Sequence, residues 1–181
     1  MEKYEVVIVG AGPAGLKCAE VLAKNNKKVL VLEKNSIFGD KICAGGLTLK
    51  DLELKIPDKI IQRKFKKVII HTPLQDTKIE LDEPFIATID RKDLGKYMAE
   101  NAKKQGAELR LNSDVVKIEE KKIILKNKEE INYKYLVGAD GANSIARKYL
   151  GLKNNNTLGA FQYIAPKKFK ELELFIDPEK Y

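Results

Sequence analysis

Tryptophan is absent from this chain, histidine occurs once and cysteine twice. Cys18 and Cys43 are too few for a disulfide framework, and a lone imidazole at His71 excludes both a His/Cys metal cluster and a histidine-dependent triad. No apolar stretch approaches the roughly 20 residues that span a membrane, and the charged N-terminus is unlike a signal peptide. We therefore expect a cytoplasmic protein without a metal, and we assign no catalytic residue.

Arginine is scarce beside lysine, with four arginines among 34 basic residues and a net charge of +8. The lysines are scattered without interleaved aromatic residues, which argues against nucleic-acid binding. Contact with an anionic membrane surface or a phosphorylated lipid stays open, so a location peripheral to the membrane is a second expectation. In so lysine-rich a chain, an arginine indicates a position where the planar guanidinium is required and an ammonium group would not serve. Arg91 is therefore a candidate functional residue.

A glycine-rich turn follows directly after an apolar run near the N-terminus. The run Val6 to Val9 predicts a buried parallel strand. The next glycines have the spacing of a dinucleotide-binding turn, in which they permit a sharp bend, close approach to a pyrophosphate and close helix packing. The pyrophosphate would lie at the N-terminus of a helix predicted from Pro13 to Lys24. The candidate contacts are Gly10, Gly12, Pro13, Ala14 and Gly15.

A second apolar run, Lys28 to Leu32, predicts the next strand, and Glu33 follows it. A carboxylate at this place accepts hydrogen bonds from ribose hydroxyls and repels a 2′-phosphate. We therefore expect FAD or NAD and not NADP. Lys34, the next residue, joins the candidate cofactor contacts.

The remaining periodicities predict an α/β protein. A helix from Arg91 to about Gln105 precedes a third parallel strand at 107–111, and a buried strand is expected at 135–138. The glycine-rich segment 35–49 predicts no regular element. Short antiparallel strands are expected in an insertion and in a meander, at 68–70, 78–81, 115–118, 123–125 and 131–133.

A second motif follows the predicted strand at 135–138. Asp140 can hold N–H groups of the turn, Gly141 lets the chain pass close to a cofactor, and Ser144 can cap the next helix. With the N-terminal turn, this segment resembles the FAD-dependent oxidoreductases of the aromatic-hydroxylase (glutathione-reductase-like) superfamily. The resemblance implies a Rossmann-like FAD-binding fold with a parallel sheet and an antiparallel β-meander, FAD as cofactor, and Arg91 near the flavin pyrophosphate.

Within that superfamily, the segment Gly39 to Leu47 is similar to the geranylgeranyl reductase branch, which has a Lys-x-Cys-x-Gly-Gly loop along the flavin. The resemblance implies saturation of isoprenoid double bonds by hydride transfer from reduced flavin, with a geranylgeranyl lipid as substrate. A flavin-dependent hydroxylase stays open as an alternative, as does a purely structural role for the Cys43 thiol. The candidate contacts here are Lys41, Cys43, Ala44, Gly45 and Gly46. Val115 at the start of the meander, and Asp140 and Gly141 of the second motif, complete the set of candidate cofactor contacts.

Two strand candidates near the end of the chain, Gly159 to Ile164 and Glu171 to Ile176, predict the start of a second domain. We expect an FAD-binding domain over 1–158 and the first, unpartnered strands of an incomplete substrate domain over 159–181. A truncated sequence, half of a split enzyme and a small flavin-binding module all stay open. An incomplete sheet favours self-association or a partner chain. We expect the isolated chain to hold FAD weakly and to reduce no lipid alone.

Overall fold

The computed structural model describes residues 3–48, 51, 56–153, 159–163, 166 and 171–177. Contacts divide the chain into two compact units, one of residues 1–41 and 91–160 and the other of residues 42–90 and 161–181. The expected boundary at residue 158 stays a prediction, because the two units are defined by contacts and not by role.

The described residues form helices and strands in the first unit. In the second unit they form strands, a 3-10 turn at Asp58–Ile60 and one helical residue, Asp51. In chain order they are β1 (Lys3–Val9), α1 (Pro13–Lys24), β2 (Val29–Leu32), β3 (Gly46–Thr48), β4 (Ile61–Phe65), β5 (Lys67–His71), β6 (Asp76–Glu80), β7 (Ile86–Ile89), α2 (Arg91–Lys104), β8 (Glu108–Arg110), β9 (Val115–Glu119), β10 (Lys122–Leu125), β11 (Glu130–Gly138), α3 (Ile145–Tyr149) and β12 (Leu172–Phe175).

A six-stranded sheet organises the first unit, in the order β8-β2-β1-β11-β10-β9. Strand β1 pairs in parallel with β2 and β11, and β2 pairs in parallel with β8. The carboxyl ends of these four strands therefore meet at one edge, where ligands bind in folds of this kind. Strand β10 pairs antiparallel with β9 and β11, which forms the predicted meander.

The two faces of this sheet carry separate hydrophobic clusters. On one face, Leu16 of α1 and Ala99 of α2 belong to the same cluster as Ile8. On the other face, Ala146 of α3 clusters with Val7. Strands β1 and β2 are near-continuous buried apolar runs, as the sequence predicts. Residues 135–138 of β11, which were expected to be buried, are exposed or half-buried, with Tyr135 at 56%. The helix predicted from Pro13 to Lys24 is confirmed at both ends.

The second unit consists of two three-stranded sheets, in the orders β12-β5-β6 and β3-β7-β4. The strand pairs are antiparallel except for the parallel pair of β12 and β5. Val68 is the buried residue of β5, whereas every residue of β6 is exposed. This unit therefore has little of the burial that stabilises the first.

Strand pairing overturns two sequence expectations within the chain. The segment 35–49, expected to be irregular throughout, contains β3, which pairs antiparallel with β7 and buries Leu47. The separate runs at 131–133 and 135–138 form one continuous strand, β11, because β10 pairs with its first half and β1 along nearly all of it. Strands β4 and β7 were not predicted.

The predictions for the last part of the chain are also wrong in part. Residues 159–163 form no strand, and the side chains of Phe161 and Tyr163 are 89% and 92% exposed. A strand requires a hydrogen-bonded neighbour, which an apolar pattern alone does not supply. Ile164 lies outside the described residues. The segment expected at 171–176 does form β12, but it is not unpartnered, because it pairs in parallel with β5.

Candidate functional site

The two glycine-containing turns lie against each other where β1 and β11 end. Gly10 has φ of +99°, and a Cβ there would collide with the carbonyl oxygen of Ala139 and lie 2.9 Å from Cα of Asp140. A Cβ at Gly15 would collide with the carbonyl oxygen of Gly10 and lie 3.2 Å from Cβ of Ala139. Backbone packing therefore requires glycine at both positions, in agreement with the roles predicted for them.

Gly12 is different, because nothing in the described part of the chain requires glycine there. It has φ of −70° and ψ of 175°, which any residue adopts, and it is the residue before the first turn of α1. A Cβ at Gly12 would meet no described atom within 4 Å. The space in front of this helix is therefore open, as close approach of a ligand requires.

The N-terminus of α1 has no cap among the described residues. No side chain accepts a hydrogen bond from its first turn, that turn contains no acidic residue, and Pro13 occupies the first position. The amide of Leu16 already donates to the carbonyl of Gly12 at 2.9 Å. The N–H groups of Ala14 and Gly15 remain for another acceptor, and the helix dipole favours one with negative charge.

The N-terminus of α3 is fully capped by its own side chains. Ser144 Oγ accepts from the Arg147 amide at 2.9 Å and donates to Asp140 Oδ1 at 2.6 Å. Asp140 Oδ2 accepts from the amides of Ile145 at 2.6 Å and Ala146 at 3.3 Å. Ser144 therefore caps the helix as predicted, and Asp140 holds helix N–H groups.

Glu33 lies at the end of β2 with its carboxylate against the glycine turn. Oε2 accepts from the Ala11 amide and Oε1 from the Asn35 amide, both at 2.9 Å. Each oxygen retains a lone pair for a further donor. These two amides fix the carboxylate beside the glycine turn, and its role toward ribose hydroxyls stays a prediction. Lys34 beside it is exposed.

Two cationic side chains of the first unit could hold an anionic group. Arg91 begins α2, and its Nε is buried without a hydrogen-bond partner in the described part of the chain. The ammonium of Lys41 approaches the second turn, since a Cβ at Gly141 would lie 3.6 Å from Lys41 Nζ. A buried donor without an acceptor costs about 1–3 kcal/mol, so the Arg91 guanidinium fits a bound anionic group.

The predicted loop over residues 43–46 belongs to the second unit. The Gly45 carbonyl accepts from the Ile89 amide at 3.0 Å, and the Gly45 amide donates to Cys43 Sγ at 3.4 Å. The Cys43 carbonyl accepts from Gln162 Nε2 at 3.1 Å. Ala44 and Gly46 are exposed. The placement of this loop along the flavin stays a prediction.

Val115 and the two cysteines are the remaining residues that the sequence analysis singled out, and the last question is whether the chain has a metal site or a membrane-spanning helix. Val115 is buried in the hydrophobic cluster that contains Ile123, and its role as a cofactor contact stays a prediction. Cys18 is partly buried against the cluster that contains Leu16, and this burial raises the pKa of its thiol. Among the residues that the structure describes, no three metal-ligating side chains come together, and no helix has the length and apolar character to cross a membrane.

Sequence reasoning did not predict that Gly39, the first residue of the reductase-like segment, contacts Gly95 of α2. Gly95 is in the interior of α2, where glycine is unfavourable. An isolated glycine inside a helical pattern was the signal that could have found it.

The sequence profile described as "FAD binding domain" matches residues 3–172. The chain belongs to this FAD-binding domain family. Its cofactor is FAD, and the open space at Gly12, the uncapped N-terminus of α1 and the unpaired Arg91 Nε fit the pyrophosphate of that cofactor.

Named relatives match most of this chain. An uncharacterized protein of Methanosarcina barkeri strain Fusaro is 33% identical, over 88% of this chain and 43% of the relative. Another M. barkeri protein, from the nifH2 5′ region, is 35% identical over 82% of this chain and 88% of its own length. The digeranylgeranylglycerophospholipid reductase of Methanocaldococcus jannaschii is 29% identical over 83% of this chain and 41% of the enzyme.

Two solved structures have the same fold. A geranylgeranyl bacteriochlorophyll reductase-like protein from Thermoplasma acidophilum is 28% identical with a TM-score of 0.64, over 78% of this chain and 40% of that chain. PqsL of Pseudomonas aeruginosa, named a probable FAD-dependent monooxygenase, has a TM-score of 0.68 at 15% identity, over 87% of this chain and 48% of its own. The chain spans about two fifths of the named reductases.

Proposed function

We propose that this chain is the FAD-binding portion of an oxidoreductase that saturates C=C bonds of an isoprenoid lipid. The observation that carries the proposal is the uncapped, acid-free N-terminus of α1 in front of the open space at Gly12. This arrangement accounts for FAD, and the substrate class rests on the relatives.

The residues of the first unit divide the work of holding the cofactor. The amides of Ala14 and Gly15 bind the pyrophosphate, and Glu33 binds the ribose hydroxyls of the adenosine half. Arg91 and Lys41 add positive charge, which an anionic pyrophosphate needs in a partly buried site. Bound FAD supplies hydride-transfer chemistry.

The substrate class is supported by the names of the relatives. Digeranylgeranylglycerophospholipid reductases of several archaea are 27–31% identical to this chain. The monooxygenase PqsL is 15% identical, a level that indicates the fold alone. An isoprenoid lipid is therefore better supported than an aromatic substrate for a hydroxylase. Binding at a membrane surface is consistent with the net charge of +8.

Further polypeptide is part of the proposal, because the named reductases are more than twice as long as the matched segment. It would enclose a long isoprenoid and supply a proton donor, for which we assign no residue of this chain. The function that we propose for this chain is therefore that of the flavin-binding part of a larger catalytic unit.

The test is an anaerobic incubation of FAD-loaded, dithionite-reduced chain with a geranylgeranyl phospholipid, analysed by mass spectrometry. A second sample adds the part of the M. jannaschii enzyme that lies outside the match. We expect saturation above the free-flavin background in the second sample. Saturation in the first sample would support the reaction and show that this chain catalyses it without further polypeptide. A chain that binds FAD but yields no saturated lipid in either sample would overturn the proposed substrate class.

A further inference from the structure

The loop after β2, residues 35–41, packs on α2 through two glycines. A Cβ at Gly95 would lie 2.5 Å from the amide nitrogen of Gly39, 2.6 Å from its Cα and 2.7 Å from the carbonyl carbon of Phe38. Gly39 has φ of +77°, and a Cβ there would collide with the carbonyl oxygen of Arg91. The contacting atoms are backbone, so no side-chain rotation relieves either collision.

Both ends of this loop connect to the cofactor site. At its start, the Asn35 amide donates to Glu33 Oε1 at 2.9 Å. Its last residue, Lys41, donates its amide to the Gly39 carbonyl at 2.7 Å and extends its ammonium beside Gly141. The Gly39–Gly95 contact is therefore two residues from the cation that approaches the second turn.

Two further contacts hold the same loop. Asn35 Nδ2 donates to the Asp40 carbonyl at 3.2 Å, and Asp40 forms a 3.2 Å ion pair with Lys92 on α2. These groups are exposed or half-buried and contribute modestly. The glycine contact is the one that sets how closely the loop approaches the helix.

We propose, on the basis of the FAD site assigned above, that Gly95 is a positioning residue for the cofactor. The absence of a side chain at Gly95 lets residues 35–41 lie directly on α2, and this places the Lys41 ammonium beside Gly141, where it contacts the anionic part of FAD. Arg91 is held by the same contact, because its carbonyl lies under Gly39.

Helix propensity and this proposal predict opposite effects for Gly95→Ala. Alanine is the better helix former. If Gly95 made no tight contact, its replacement by alanine would therefore raise the stability of the protein and leave FAD binding unchanged. Here the new methyl group pushes the loop away from α2 and displaces Lys41. Gly159→Ala is the matched control, because it lies in the same unit and its Cβ would meet no described atom within 4 Å.

The experiment is a double-mutant cycle measured by equilibrium FAD titration of the full chain, with circular dichroism to verify folding. We expect Gly95→Ala and Lys41→Met each to weaken FAD binding about tenfold. In a chain that already carries Lys41→Met, adding Gly95→Ala should weaken FAD binding by less than about threefold. A merely structural role would give multiplicative effects. Gly159→Ala should bind FAD as the wild type does.

Three results would overturn the proposal: Gly95→Ala binding FAD as tightly as Gly159→Ala, multiplicative effects in the cycle, or unchanged affinity in Lys41→Met. The FAD affinity of Lys41→Met can be measured even if Gly95→Ala does not fold, because Lys41 is exposed and its replacement leaves the core intact. A tenfold loss in folded Lys41→Met, with Gly95→Ala unfolded, would support the placement of Lys41. Failure of lipid saturation would leave all these titrations unaffected.

Discussion

Helices α1 and α3 both begin where a parallel strand of the same sheet ends, and only α3 satisfies its first N–H groups with side chains. Asp140 and Ser144 accept hydrogen bonds from three amides of α3 and bond to each other. At the start of α1, Gly12 offers no side chain and the first turn offers no acid. Two neighbouring helix starts thus face opposite chemical situations.

The difference shows which of the two helix starts has N–H groups left for a ligand. Unsatisfied N–H groups at a helix start require an acceptor, from the protein or from a ligand. The α3 start is complete without a ligand, whereas the α1 start has N–H groups left for the pyrophosphate of FAD, as we propose. The packing of Gly10 on Ala139 joins the two, so the capped turn serves as the support for the binding turn.

Giving α1 a cap of its own should have the largest effect. In Gly12→Asp the new carboxylate caps the helix and places negative charge where the pyrophosphate binds. We expect FAD affinity to fall about a thousandfold, roughly 4 kcal/mol, while stability is unchanged or rises by a few tenths of a kcal/mol. Equilibrium titration and urea denaturation measure the two quantities. Retained FAD affinity in a folded Gly12→Asp chain would show that the anion lies elsewhere.

Removing the cap of α3 should act on stability first. Asp140→Ala takes away the acceptor of the Ile145 and Ala146 amides and the partner of Ser144 Oγ. We expect a loss of about 3 kcal/mol in the free energy of unfolding, measured in urea, since hydrogen bonds to a charged group are among the stronger ones. Asp140→Asn, which keeps part of the acceptor capacity, is the control. A loss below about 1 kcal/mol would contradict a supporting role for this turn.

The adenosine end of the site gives a smaller effect. Glu33→Ala removes the carboxylate that accepts from the Ala11 and Asn35 amides and, in the complex, from ribose. We expect FAD binding to weaken by roughly 1–3 kcal/mol, with Glu33→Gln intermediate. Wild-type protein that binds NADP more tightly than FAD would show that Glu33 has been assigned the wrong role.

The features of the fold and of the candidate site that the sequence predicts are those that depend on residues close together in the chain. Gly10, Gly15 and Glu33 were predicted because spacing alone fixes their relation to a strand and a helix. The capping by Ser144 follows from the residue type at a helix start. The two strand–turn–helix units therefore follow from local patterns of a few residues each.

The failures concern long-range contacts. Strands β3, β4 and β7 form because they pair with one another. The residues within each strand do not indicate which other strand it pairs with. The contact of Gly95 with Gly39 joins residues on different elements, and only the structure brings them together. In the same way, β12 has a partner in β5 that lies about a hundred residues earlier.

The smallest predicted effect concerns the meander and its dependence on pH. Burial raises the pKa of Tyr133, whose hydroxyl donates to the Glu119 carbonyl at 2.5 Å. A raised pKa means that its stabilising contribution is complete below about pH 10, the usual tyrosine value, and is lost as pH rises above it. Tyr133→Phe should therefore lose less stability between neutral and strongly alkaline pH than the wild type. An equal loss, by urea denaturation, would exclude Tyr133 as a source of alkaline instability.

Amide exchange at the two helix starts tests the central comparison most directly. The amides of Ala14 and Gly15 at α1, and of Ile145 and Ala146 at α3, are followed by NMR with and without FAD. We predict that FAD protects the α1 amides, which have no acceptor among the residues that the structure describes, and leaves the α3 amides as protected as they are in the free chain. Protection of the α3 amides alone, or no change at α1 with FAD bound, would contradict the assignment of the pyrophosphate to the uncapped helix.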